Sequence, residues 1–119
     1  FHCYISMKKT AEGQAKSAIF AAMGEDLSLK WVVVVDDDVD VYNEEEVMWA
    51  VATRMQADRG VFVVPHAMGA ILDPSSRNVL TAKVGIDATA PLDGWTAERC
   101  TVPEDALRMV RKKLKALIR

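Results

Sequence analysis

Four carboxylates, Asp36, Asp37, Asp38 and Asp40, directly follow the apolar run Trp31–Val35 (WVVVV). A strand ending in Asp-x-Asp can hold the metal of a nucleotide-sugar transferase, or supply the nucleophile of an aspartyl-phosphate hydrolase. Functional groups of open α/β sheets gather at strand carboxyl ends, which suits either chemistry. A calcium loop starting at Asp36 would need Gly at its sixth position and Glu at its twelfth. Those positions are Val41 and Val47, so that reading fails. The structural alternative is that the carboxylates are solvated at a strand end, one or two of them bonding backbone N–H groups. On the residues alone both readings stand.

A second candidate is Pro65-His66-Ala67-Met68-Gly69-Ala70-Ile71-Leu72-Asp73-Pro74-Ser75, which starts where a strand ends. Long loops of mixed polarity often carry ligand contacts, and His exchanges protons near neutrality. The basic tail Arg108, Arg111, Lys112, Lys113, Lys115 and Arg119 reads as the solvated face of a helix. No glycines are spaced for G-x-G-x-x-G or a P-loop, and neither G-x-S-x-G nor H-E-x-x-H occurs. Cys3 and Cys100 form no C-x-x-C, which favours a reduced cytoplasmic protein. From motifs alone the catalytic set is incomplete.

The elements that must position these groups follow from periodicity. Phe1–Met7 reads as a strand; Thr10 can cap a helix over 10–23 with Ala15, Ala18, Ile19, Ala22 and Met23 on one face, ended by Gly24. Trp31–Val35 is apolar on both faces, as a central strand must be. Asn43, with Glu46 three residues on, can cap a helix over 44–55. Val61–Val64 is a strand closed by Pro65, residues 66–81 a long loop, and Lys83–Ala88 a short strand. Thr101 and Glu104 can cap a last helix, 103–118, whose stripe is Leu107, Val110, Leu114 and Leu117. This alternation predicts an α/β fold, a three-layer α/β/α sandwich with a mainly parallel central sheet and all three helices packed on it.

The chain has 119 residues, 50% hydrophobic and 27% charged, enough for one domain (1–119) with a core. A formal charge of −2 argues against nucleic acid, and no apolar run reaches the roughly 18 residues of a membrane span. The chain opens on Phe1 within a predicted strand, so it is expected to be a piece of a longer protein.

The run Lys30–Arg54, KWVVVVDDDVDVYNEEEVMWAVATR, resembles the C-terminal domain of the UbiD family of decarboxylases. Lys83–Thr89 (KVGIDAT) with the following Pro91–Trp95 resembles a second family block, and Ile5–Gly24 its opening strand and Ala-rich helix. The resemblance implies a reversible, non-oxidative decarboxylase of aromatic or α,β-unsaturated acids that depends on prenylated FMN. That cofactor, its divalent metal (Mn or Mg) with K⁺, and the acid–base network are then expected in a preceding flavin-binding domain. This domain would supply homo-oligomer contacts and lay one loop over the substrate, holding no catalytic, metal or cofactor residue and being inactive alone. The segment P-H-x-M-G-x-x-L-D-P-S is similar to the hydroxybenzoate (protocatechuate/gallate-type) subgroup, which implies that His66, Met68 and Ile71 face a small aromatic acid. It also implies that Asp36–Asp40 is a structural turn.

Two rivals remain at this level. One is a self-contained metal-dependent sugar transferase or phosphohydrolase built on Asp36, Asp38 and Asp40; the other is an assembly module without a ligand.

Overall fold

The structure is a computed structural model that describes residues 1–95 and 97–118. Its elements are β1 (His2–Met7), α1 (Gln14–Glu25), β2 (Trp31–Asp36), α2 (Glu44–Arg54), α3 (Ala57–Gly60), β3 (Val61–Met68), β4 (Leu80–Ala88) and α4 (Glu104–Leu117). The four strands form one sheet in the order β1-β2-β4-β3. β1, β2 and β4 are parallel; β3 runs antiparallel along β4.

The valine run builds the middle layer. Side chains alternate across a strand, so Val33 and Val35 pack with Val47 and Ala50 of α2, while Val32 and Val34 pack with Ala15, Ile19 and Met23 of α1. All four valines are fully buried. At about 1.5–3 kcal/mol for each buried aliphatic side chain, they anchor both layers at once. Gly85 in β4 lets α1 close down, because a Cβ there would lie 2.5 Å from Phe62 and 2.8 Å from Ile19. The expected α/β/α sandwich is present.

Several local expectations are corrected. Thr10 does not cap α1. The chain first turns through Gly13 at φ 89°, and the Gln14 side chain accepts hydrogen bonds from the backbone N–H of Thr10 (2.7 Å) and Ala11 (3.2 Å). Gly24 does not end the helix, which continues to Glu25 because burial of Met23 outweighs the modest helix penalty of glycine. Asn43 does cap α2, accepting from the Glu45 N–H (3.1 Å), but Glu46 reaches back to the Asp40 N–H rather than to Asn43. Pro65 does not close β3. The strand lies at the sheet edge, where a residue without an N–H is tolerated, and a bulge between Val64 and Ala67 carries it on to Met68. The expected long loop is therefore shorter than residues 66–81: β3 runs on to Met68, β4 starts at Leu80, and residues 69–79 form the connection.

The largest correction concerns α4. Its N-cap is Pro103, without a side-chain cap, and none of its residues is buried. Met109, Val110, Leu114 and Leu117 are half or more exposed. The radius of gyration is 18.3 Å, against about 13.5 Å for a compact domain of this length. An amphipathic stripe says that a helix has an apolar side; it does not say which surface covers it. Among the described residues no helix is long and apolar enough to cross a membrane.

Candidate functional site

At the carboxyl ends of the parallel strands, two carboxylates of the acidic run, Asp36 and Asp38, are committed to one cation. Arg54, the last residue of α2, is buried, and its guanidinium forms a fork onto Asp38 (Nη1–Oδ1 2.7 Å, Nη2–Oδ2 2.6 Å). The same Nη1 reaches Asp36 at 2.7 Å, whose Oδ2 also accepts the Ala90 N–H at 2.7 Å. The hydrogen bond from Arg54 holds the Asp38 carboxyl below its usual range, and the same contact raises Arg54. Asp40 closes a turn by accepting from the Tyr42 N–H at 2.9 Å. The carboxylates that a transferase or phosphohydrolase would need are engaged in tying β2, α2 and the segment after β4 together. Among the described residues no group of three or more His, Cys, Asp and Glu side chains is arranged to hold a metal ion.

His66 sits at the other end of the sheet. β3 is antiparallel, so its carboxyl end lies beside the start of β4, with Met68 opposite Leu80. The residues after Pro65 thus lie at the carboxyl end of their own strand and at the amino edge of the parallel strands. His66 takes φ 57° in the bulge, and Asn78 and Val79 take φ 52° and 58° across the hairpin. Such values are uncommon for non-glycine residues and rare for a β-branched one. Beside them lies a cleft of about 410 Å³ lined by His66, Ser75, Arg77, Asn78, Leu80 and Thr81.

The hairpin is organised by Asp73, which is buried. Its Oδ2 accepts from the Lys30 ammonium (2.7 Å), and its Oδ1 accepts from the Ser75 N–H (3.0 Å) and O–H (2.8 Å). Lys30 and then Ser75 hold its carboxyl down to about 2. Lys30 immediately precedes β2, so this one side chain pins the hairpin to the central strand.

Of the three residues the sequence puts forward, only His66 lines the cleft. Met68 and Ile71 lie outside it and are 57% and 83% exposed, available to a surface the chain itself does not supply. Arg77, Asn78 and Thr81 share the cleft with His66 and escape sequence reasoning, because they follow a turn whose register is invisible until β3 and β4 pair. Arg54 carries a legible signal: an arginine placed one turn beyond Ala50 on the buried face of a helix needs carboxylates, and Asp36–Asp40 supplies them at the end of the strand that this face covers.

Residues 1–88 match the 3-octaprenyl-4-hydroxybenzoate carboxy-lyase (UbiD) C-terminal domain. This chain belongs to the UbiD family. It is 46% identical, across 87% of its length and 27% of the relative's, to an anhydromevalonate phosphate decarboxylase of Aeropyrum pernix. Among solved structures it superposes with the UbiD-class enzyme HmfF of Pelotomaculum thermopropionicum, in complex with FMN, at TM-score 0.82. The two are 48% identical over 92% of this chain and 26% of that one. An evolved dimeric form of HmfF holds prFMN (TM-score 0.67, 39% identity, 88% of this chain and 21% of that one). Vanillic acid decarboxylase of Sedimentibacter hydroxybenzoicus gives TM-score 0.70 and 35% identity over 98% of this chain and 26% of that one. This UbiD-family chain thus spans about a quarter of the length of the proteins it matches.

Proposed function

We propose that this UbiD-family domain works as part of a prenylated-FMN-dependent decarboxylase, where its β3–β4 hairpin forms one wall of the substrate site. The observation that carries the reading is the cleft: a UbiD-type domain presents an imidazole beside an uncommitted arginine, on a hairpin pinned by Asp73. The residues present suit a place beside a flavin rather than its holder. The cleft is open, and the sequence has no glycine-rich phosphate turn. The flavin, its divalent metal and K⁺ are assigned to a separate, upstream domain of the same protein. When bound, prenylated FMN supplies the electron sink for breaking the bond to the carboxylate. The chain's own residues then bind and orient. His66 donates or accepts at a polar group of the substrate, Arg77 attracts an anionic one, and Met68 and Ile71 offer an apolar surface that excludes water.

Arg77 favours a phosphorylated α,β-unsaturated acid as substrate, since a guanidinium matches a phosphate better than a neutral ring hydroxyl. The anhydromevalonate phosphate decarboxylase similarity supports the same choice. A hydroxylated benzoate is the second reading, favoured by the P-H-x-M-G segment and by the similarity to vanillic acid decarboxylase. Loading the full-length protein with prenylated FMN and measuring CO₂ release from anhydromevalonate phosphate and from 3,4-dihydroxybenzoate tests both. Turnover of the first supports the reading; turnover of the second alone replaces it; release from neither removes the assignment of these substrates.

A further inference from the structure

The cleft at His66 is matched by a second cavity at the opposite end of the sheet, also about 410 Å³. It opens above the carboxyl ends of β1 and β4, and Lys9, Gly13, Lys16, Arg54, Arg59 and Trp95 contribute to its wall. Its polar groups are unbalanced. Glu12 spends one carboxylate oxygen on the Leu92 N–H (2.8 Å) and the other on Lys9 (2.9 Å). Asp87 turns one oxygen to the Thr89 N–H and O–H. The donors are in surplus. Lys9 has a side chain only 3% exposed, yet Glu12 is the sole partner of its ammonium among the described residues. Arg54, 4% exposed in its side chain, spends both Nη groups on Asp36 and Asp38 and keeps a buried Nε–H with no partner among the described residues. Lys16 and Arg59 make no ion pair among the described residues, and α1 begins at Gly13 without a side-chain cap.

We propose that this cavity binds a phosphate-bearing small molecule. Lys9, Lys16 and Arg59 bring three cations to one wall, where Glu12 and Asp87 already accept hydrogen bonds from Lys9, Leu92 and Thr89, so the cavity favours an anionic occupant that accepts. An uncapped helix start adds backbone N–H groups and the positive end of its dipole. A carboxylate offers two oxygens in one plane; a phosphate offers three around a tetrahedron, which suits donors arriving from the segment after β1 (Lys9), α1 (Lys16) and α3 (Arg59). Trp95 and Pro91 on the same wall provide an apolar face for the organic part of the ligand. The volume falls in the range of small-molecule sites. The inference is independent of the substrate assigned to the His66 cleft, because the two cavities share no residue.

Isothermal titration of the full-length protein with inorganic phosphate and with AMP as probes, without the flavin, tests the site. Saturable binding of at least one probe at a Kd of about 1 mM or tighter is expected, weakened at least about tenfold in Lys16→Ala/Arg59→Ala. That pair leaves the Arg54 and Lys9 contacts intact, so its melting temperature should match the parent's. AMP binding tighter than phosphate, with quenched Trp95 emission, identifies an organic phosphate as the occupant; equal affinities identify free phosphate. Absence of saturation by both probes, as when another part of the protein fills the cavity, overturns the proposal. So does an unchanged Kd in the double variant together with a loss in Arg77→Ala, which would move the binding to the His66 cleft.

Discussion

At its carboxyl end the sheet is closed by a buried arginine that clamps two carboxylates and, through Asp36, the backbone of Ala90. At its amino end the β3–β4 hairpin is tied to the central strand by Lys30, which pairs with Asp73 and donates to the Ser75 hydroxyl, and it passes through three non-glycine residues at positive φ. The first arrangement is over-determined: removing any one contact leaves others. The second is strained and reaches the central strand through one side chain, Lys30, and it carries the histidine. Strain and local opening gather where a surface must adapt to a ligand, whereas redundant pairing gathers where a frame must not move. Asp36 and Asp38, two of the four aspartates, therefore belong to the frame, and a lone histidine is the better functional candidate.

Arg54→Met is the strongest way to break that contrast. It keeps the volume and leaves Asp36 and Asp38 without their cation, for an expected loss of about 3–5 kcal/mol. Urea unfolding monitored by circular dichroism checks it. A loss under about 1 kcal/mol would mean that the carboxyl end is no better built than the hairpin.

His66→Ala should act on function instead. In the full-length enzyme kcat/KM falls at least about tenfold, about 1.4 kcal/mol, while stability stays within about 0.5 kcal/mol, as for other exposed positions. Equal losses on anhydromevalonate phosphate and on a hydroxybenzoate assign His66 to a feature both share. A loss confined to the hydroxybenzoate assigns it to the ring hydroxyl. A purely structural histidine would reverse the pattern, with stability falling and the substrates undistinguished.

The hairpin's tie is pH-sensitive in a definite direction. The Asp73 carboxyl is held at about 2 in the folded state, below the ordinary value of about 3.9. Its contribution is thus fully present above about pH 4 and disappears as the pH falls through about 2. Amide-exchange protection of Asp73, Ser75 and Ser76 should follow that window, and Asp73→Asn should be unprotected across it. A protection profile identical in both proteins would show that the hairpin is held by something other than Lys30.

How much of this could be read from the sequence depended on whether the deciding interaction was local. The valine run, with apolar residues on both faces, announces a central strand, and Asn43 announces the start of α2. Pro65 misleads because its meaning depends on whether its strand is internal or at the edge, which only the pairing β1-β2-β4-β3 fixes. The same antiparallel pairing moves His66 to the opposite end of the sheet from where a strand-helix alternation would put it. The α4 stripe misleads for a related reason: an apolar face is a local property, and its partner is not.

Val79→Gly should have the smallest effect and the most telling sign. Val79 holds φ 58° and its N-terminal neighbour Asn78 holds 52°. A β-branched side chain in this left-handed region costs roughly 1–2 kcal/mol, while glycine adopts it freely but gives up about 0.5–1 kcal/mol through its more mobile unfolded chain. The balance is a gain of about 0.5 kcal/mol in stability, which a shift of the urea midpoint at constant slope would register. The carbonyl of Val79 accepts the Gly69 N–H at 2.8 Å, and that bond survives the substitution because it involves backbone alone. A stabilised variant with reduced kcat/KM would mean that the strained valine holds the His66 cleft open at the expense of the fold. A variant destabilised by more than about 1 kcal/mol would mean that packing of the half-buried valine side chain dominates. The amino end would then be as firmly built as the carboxyl end, and the division between frame and working surface would fail.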